Sequence, residues 1–176
     1  MKAWRCSVVS SCLFFSMLST ANADQPSFTL QGGDSVIGTD FASRDRTPAV
    51  FADVFWREHY IGNSQFSWAP DITGGWIDGR DTRAVDHYTT RDHIWLLGAG
   101  VRLHYGADAA WYHPFFLSFQ PSAHTGRTPA LSSSYEFTYT IGWQAKHWMV
   151  GIRHISNAYL HEPNRGESML LVGVTF

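Results

Sequence analysis

Beyond its first 23 residues this chain has no cysteine: the only two, Cys6 and Cys12, both lie in that opening stretch. Disulfides and thiolate metal sites are therefore excluded from the rest of the molecule. Long apolar runs are missing too. After residue 23 none reaches the roughly 18 residues that a membrane-spanning helix needs. Positive charge is scarce. Lys2 and Arg5 take two of the 13 basic residues, leaving 11 against 15 acidic ones in residues 24–176, a net charge of −4. With no basic stripe, nucleic acid is not an expected partner.

What is present starts with residues 1–23. Lys2 and Arg5 give a basic start, Val8 to Leu18 is mostly apolar, and Ala21-Asn22-Ala23 is a small-x-small cleavage site. This pattern is that of a secretory signal peptide, cleaved before Asp24, and it is too short and polar to span a bilayer. Neither cysteine stands at the cleavage point, which argues against a lipoprotein anchor. Residues 24–176 then form one domain by length. Aromatic residues make up 15% of the chain, and there are 15 glycines. A secreted chain of this kind reads either as a soluble all-β domain or as a small outer-membrane barrel with aromatic girdles.

Period-two alternation divides the domain into eight strands. They are expected at 28–37, 49–60, 66–77, 92–105, 111–120, 133–144, 147–156 and 168–176. The cleanest sets Tyr135, Phe137, Tyr139 and Ile141 against Glu136, Thr138 and Thr140. Pro70 and the Gly74-Gly75 pair interrupt the third strand and predict a bulge there. The links at 38–48, 78–91, 121–132 and 157–167 are long and polar, while those at 61–65, 106–110 and 145–146 are short. Eight strands with alternating long and short connections predict an all-β, eight-stranded antiparallel outer-membrane β-barrel. The last strand supports this: Leu170, Val172, Val174 and Phe176 alternate with Gly173 and Thr175. A final strand closing on an aromatic residue is similar to the recognition signal of outer-membrane barrel proteins.

The chemistry is concentrated in Arg153-His154-Ile155-Ser156-Asn157-Ala158. On a strand, residues two apart share a face, so His154 and Ser156 stand side by side. That is the placement an imidazole needs to take a proton from a hydroxyl. Val150 and Ile152 share their parity, which puts the pair on the apolar, lipid-facing side. His-x-Ser alone is a weak motif. Polar groups set among acyl chains without a use are costly, however, and the strand-end context favours catalysis.

These residues, with Pro163-Asn164-Arg165-Gly166-Glu167 and a short terminal strand after them, resemble the pattern of the lipid A 3-O-deacylase family, PagL-like outer-membrane enzymes. The specific match covers about the last 25 residues. The resemblance implies an eight-stranded barrel with a Ser-His-Glu triad at its outer surface, hydrolysing the ester-linked acyl chain at the 3-position of lipid A. It implies no metal and no organic cofactor. By residue it makes Ser156 the nucleophile, His154 the general base and Glu167 the orienting acid, with Asn157 and the backbone near Ala158 as oxyanion donors. Lipopolysaccharide and outer-membrane lipids become the expected partners, the outer membrane the expected location with the site toward the outer leaflet, and a homodimer an open option.

One departure bears on the acid. The glutamate stands one residue nearer the glycine than in the family pattern. Strict alternation back from Phe176 puts Ser168, and not Glu167, on the lipid face. A bulge or the loop could bring Glu167 round; Glu162 is the substitute, and Glu136 a less favoured one facing the lumen. His87, His93, His104, His113, His124, His147 and His161 are scattered, with no two at a metal-binding spacing. Arg80, Arg83, Arg91, Arg127 and Arg165 are loop residues suited either to lipid A phosphates or to solvent. Asp53, Asp71, Glu136 and Arg153 are expected to form a polar network in the lumen. Two rival readings stand beside the esterase: a non-enzymatic barrel serving as anchor or adhesin, and a soluble barrel binding a hydrophobic ligand.

Overall fold

The computed structural model describes residues 26–38, 47–78, 93–127, 130–161 and 166–176. The expected signal peptide and much of the long loops lie outside the described residues. The strands are β1 (Ser27–Gly38), β2 (Pro48–Phe55), β3 (His59–Tyr60), β4 (Phe66–Asp78), β5 (His93–Tyr105), β6 (Phe115–His124), β7 (Tyr135–Gln144), β8 (Trp148–Ser156) and β9 (Glu167–Thr175). All pairings are antiparallel. Each long strand pairs with its neighbours in sequence, β1 with β9, and β2 with β4 past the two-residue β3. The eight long strands therefore close into a barrel, with β3 a short extension lying against β4.

Alternation decides which side of the wall each residue takes. Outside, Leu97 is 63% exposed, Ile141 63%, Ile152 60% and Val172 62%. In water such a surface would be a liability; against acyl chains it is the required one. Exposed aromatics gather at both rims. Phe66, Tyr105, Trp111, Phe115, Trp148 and Phe176 lie at the end with the short turns and the chain termini, and Trp95 and Tyr135 at the end with the long loops.

The inside is polar and filled. Arg153 Nη2 donates to Asp53 Oδ2 at 3.0 Å, and Arg102 Nε donates to Asp71 Oδ2 at 3.3 Å. Arg102 Nη2 also lies 3.5 Å from Asp53 Oδ2. Gln31, Thr73 and Ser118 donate to the same two carboxylates. Both guanidinium groups stack on rings, Arg153 over Phe51 and Arg102 over Phe55 and Phe116. Three of the four residues expected in the lumen network are thus joined. Glu136 belongs to a separate cluster, accepting from Ser133 N at 3.3 Å and Ser133 Oγ at 3.1 Å. Among the described residues the lumen wall is lined by paired charges, unlike the apolar cavity that the soluble-barrel reading requires.

Three details of the strands differ from expectation, the first being that the strand expected at 49–60 is broken at residues 56–58 into β2 and β3. β4 runs in unbroken register with β5 from Phe66↔Tyr105 to Asp78↔His93, so Gly74-Gly75 makes no bulge. Gly75 is there for space: a Cβ on it would sit 2.3 Å from the ring of Phe51, which is fully buried. The fifth expected strand starts later. Residues 111–114 are turn, and the pairing extends instead through Pro121 to His124. The one register shift along β1 falls against β9, between Ser35 and Ile37.

Candidate functional site

β8 carries both functions of the wall on alternate residues. Met149, Gly151, Arg153 and Ile155 point inward and are buried. Val150 and Ile152 point outward, and His154 and Ser156 follow them at the long-loop end. His154 is half-buried, while Ser156 is only 8% exposed, with Gly166 lying close against it.

Across the sheet, His154 pairs with Ser168 and Ile155 with Glu167 on β9. Directly paired residues share a face, so Ser168 stands beside His154 and Glu167 is turned toward the interior. His154 Nδ1 and Ser168 Oγ are 2.8 Å apart. The register sets Ser168, and not Glu167, directly across from His154. Glu167 is 4% exposed on the opposite side of the strand, and the hydroxyl of Ser168 occupies the place next to the ring. β9 pairs with β8 from Val174 through Glu167 without interruption, so no bulge brings the carboxylate round. Of the other two carboxylates considered, Glu136 is buried in its own cluster at Ser133, and Glu162 lies outside the described residues.

With Nδ1 engaged by Ser168, Nε2 is the ring nitrogen left for Ser156. Gly166 fixes this arrangement. It sits at φ +64, and its N–H donates to Ala130 O at 3.0 Å. A Cβ there would lie 2.9 Å from His154 Cε1, 3.2 Å from Nε2 and 3.2 Å from Ser156 Cβ. Only glycine tolerates both that backbone conformation and that closeness. The ring edge and the serine therefore both border this one glycine. No hydrogen bond joins the Ser156 hydroxyl to the ring among the described residues, an open geometry common in sites without substrate.

The loop after Ser156 is tightly held. Leu160 N donates to Asn157 O at 3.0 Å, closing a turn in which Ala158 (φ 53) and Tyr159 (φ 63) are both left-handed. Two consecutive positive φ values make this a type I′ turn, here built from residues that ordinarily avoid it. Asn157 is fully buried, and its Nδ2 donates to Ser132 Oγ at 3.0 Å and His161 O at 2.8 Å. Both of these amide hydrogen bonds hold two loops together. Outside the barrel, the sheet partners of His154 and Ser156 on β7 are Tyr139 and Phe137, which pack with Phe119 at ring distances of 5.1 and 5.8 Å.

A second cluster escaped the sequence. His104 and His113 come together with Glu58 at the short-turn end, their ligand atoms all within 4.8 Å of one another. Residue spacing gave no sign of it because the three reach the same point from β5, the β5–β6 turn and the β2–β3 link. Of the loop arginines only Arg127 is among the described residues, and it is exposed.

The class is defined first by the fold: a small outer-membrane β-barrel, here with a serine and a histidine paired on the outward face. Its residues 50–176 match the lipid A 3-O-deacylase (PagL) family, and the chain belongs to that family. Among solved structures it is similar to one described as the crystal structure of the outer membrane enzyme PagL. That similarity has 16% identity and a TM-score of 0.46, covering 86% of this chain and 98% of that one. No curated protein matches it.

Proposed function

We propose that the protein is a serine esterase that removes the 3-position ester-linked acyl chain of lipid A, with Ser156 as nucleophile and His154 as general base. The observation that carries this reading is the outward placement of the pair. A hydrolytic constellation on the lipid side of a barrel wall, at one rim, can meet only a substrate that lies in the membrane leaflet. With the long loops outside, as in outer-membrane barrels generally, that leaflet is the outer one. The packed rings of Phe119, Tyr139 and Phe137 beside the pair give acyl chains an apolar bed.

Ser156 Oγ attacks the ester carbonyl carbon while its proton passes to His154 Nε2. The tetrahedral oxyanion is met by backbone N–H groups of the turn at Ala158, each such donor being worth about 3 kcal/mol. Collapse breaks the bond to the sugar oxygen, which leaves with the proton from Nε2. Water, deprotonated by His154, then releases the fatty acid from the acyl-serine. In this reading Ser168 replaces the family's carboxylate: Nδ1–H donates to Ser168 Oγ, fixing the tautomer with its lone pair on Nε2. Every group required comes from β8, β9 and the loop between them, so one chain suffices and no homodimer is needed.

The test is mass spectrometry of lipid A incubated with the purified wild type and with Ser156→Ala. Loss of one 3-hydroxyacyl mass with the wild type alone is the expected result. Loss with both proteins would keep the activity and remove the site. Loss with neither, on a substrate carrying the 3-O chain, would leave a barrel without this activity.

A further inference from the structure

We propose that the short-turn end of the barrel holds a divalent transition-metal ion of the zinc class, bound by His104, His113 and Glu58. His104 Nε2 is 3.7 Å from Glu58 Oε1, and His113 Nε2 is 3.3 Å from Glu58 Oε2. With metal–ligand bonds of about 2.0–2.1 Å, neighbouring ligands of a tetrahedral zinc lie roughly 3.3–3.4 Å apart. The His113–carboxylate separation already matches such an edge, and the whole set, within 4.8 Å, needs only a small contraction to close around one ion.

Their supporting contacts point the same way. His104 Nδ1 lies 3.0 Å from His113 O. A carbonyl only accepts, so Nδ1 carries the hydrogen and the neutral ring presents its lone pair at Nε2. Backbone engagement of the far nitrogen is the usual way a ligating histidine is oriented. Ser67 Oγ donates to Glu58 Oε2 at 2.5 Å, orienting the carboxylate in the same sense. His113 Nε2 is buried and makes no hydrogen bond among the described residues, although Glu58 stands beside it. A buried nitrogen that faces two carboxylates without a well-directed hydrogen bond to either is suited to share a cation with them. Asp108, an exposed residue beside the cluster, has its Oδ1 3.7 Å from His113 Nε2, where it accepts from the Tyr60 hydroxyl.

Two imidazoles and a carboxylate form a borderline set, suited to zinc over magnesium or calcium, which take oxygen ligands. The ion would tie the β2–β3 link, the end of β5 and the β5–β6 turn into one unit. This site is remote from Ser156 and does not depend on the esterase reading.

The experiment is calorimetric titration of zinc chloride into the detergent-folded, chelator-stripped protein, with magnesium chloride as control. The wild type is expected to bind one zinc more than His113→Ala and than Glu58→Gln, and not to bind magnesium at that site. Ser67→Ala, which removes only the outer contact to Glu58, is expected to weaken binding about tenfold. Zinc should raise the unfolding temperature of the wild type and leave that of His113→Ala unchanged. Equal zinc stoichiometry in the wild type and both ligand variants, or no saturable zinc binding by the wild type, would overturn the proposal. Glu58→Gln is conservative and partly exposed, so it reports on the site even if His113→Ala folds poorly.

Discussion

Histidine occurs at both ends of this barrel, and its neighbours differ. At the long-loop end, His154 has a hydroxyl at Nδ1 and another serine toward Nε2. At the short-turn end, His104 and His113 face carboxylates. A hydroxyl orients an imidazole but supplies no counter-charge, whereas a carboxylate supplies both. The first environment suits a ring that takes a proton and gives it back within one reaction. The second suits neutral rings that share a bound cation with the carboxylates. The two histidine environments thus differ in what the sheet register sets beside each ring.

The sharpest way to break that comparison is His154→Ala. Removing a general base from such a constellation costs at least about 10⁴-fold in kcat. The variant should fold like the wild type, because His154 lies outside the lumen network, and should bind zinc normally. Lipid A turnover followed by mass spectrometry, with zinc titration alongside, checks both halves. If His154→Ala lost zinc binding as well, the two ends would not be independent.

Asp53→Asn tests the frame between them. The Asp53 carboxylate meets Arg153 and Arg102 in the lumen, fully buried. Removing one partner of a buried ion pair leaves uncompensated charge and costs about 3 kcal/mol or more. Urea titration of the folded barrel should show that loss, with activity per folded molecule little changed. Arg153 points inward and His154 outward from adjacent positions of β8, so a selective loss of turnover without loss of stability would contradict the separation of the two faces.

A smaller effect is expected at Ser168. Ser168→Ala should lower kcat by about 10–100-fold with KM unchanged, since the hydroxyl orients the base without touching substrate. Ser168→Thr keeps the hydroxyl and should retain most of the activity. Ser168→Asp brings a carboxylate to the same nitrogen and should at least restore wild-type kcat, making the long-loop histidine resemble those at the other end. An unaltered rate in Ser168→Ala would remove Ser168 from the mechanism.

The history of this position shows what was legible in the sequence. Alternation counted back from Phe176 already put Ser168 on the outward face, while family likeness pointed to the adjacent glutamate. The period of two prevailed because β8 and β9 pair without a bulge, and a slip of one residue would have turned every side chain of β9 to the wrong side. The eight long strands and the outward pair were legible for the same reason: they rest on local, periodic order. The Glu58–His104–His113 cluster was not, since its members lie on separate elements and meet only through strand pairing and the turn. Nor could Gly75 be separated from a bulge, because its reason for being glycine is the ring of Phe51 on the facing strand.

The last and smallest effect concerns the turn after the nucleophile. Ala158 and Tyr159 hold left-handed backbone conformations that cost an L-residue roughly 1–2 kcal/mol each. Glycine at 158 relieves that strain but gives back part of the gain through a more flexible unfolded chain. Ala158→Gly should therefore stabilise by about 0.5 kcal/mol, read as a rise of a degree or two in unfolding temperature. If the backbone N–H at 158 serves the oxyanion, kcat should stay within about twofold, because glycine keeps both the N–H and the turn, which the Leu160–Asn157 hydrogen bond and the Asn157 side chain still hold. A tenfold fall in kcat with stability gained would mean that the Cβ at 158 itself keeps the donor in place, so that the strain of the turn is part of what readies the long-loop end for reaction.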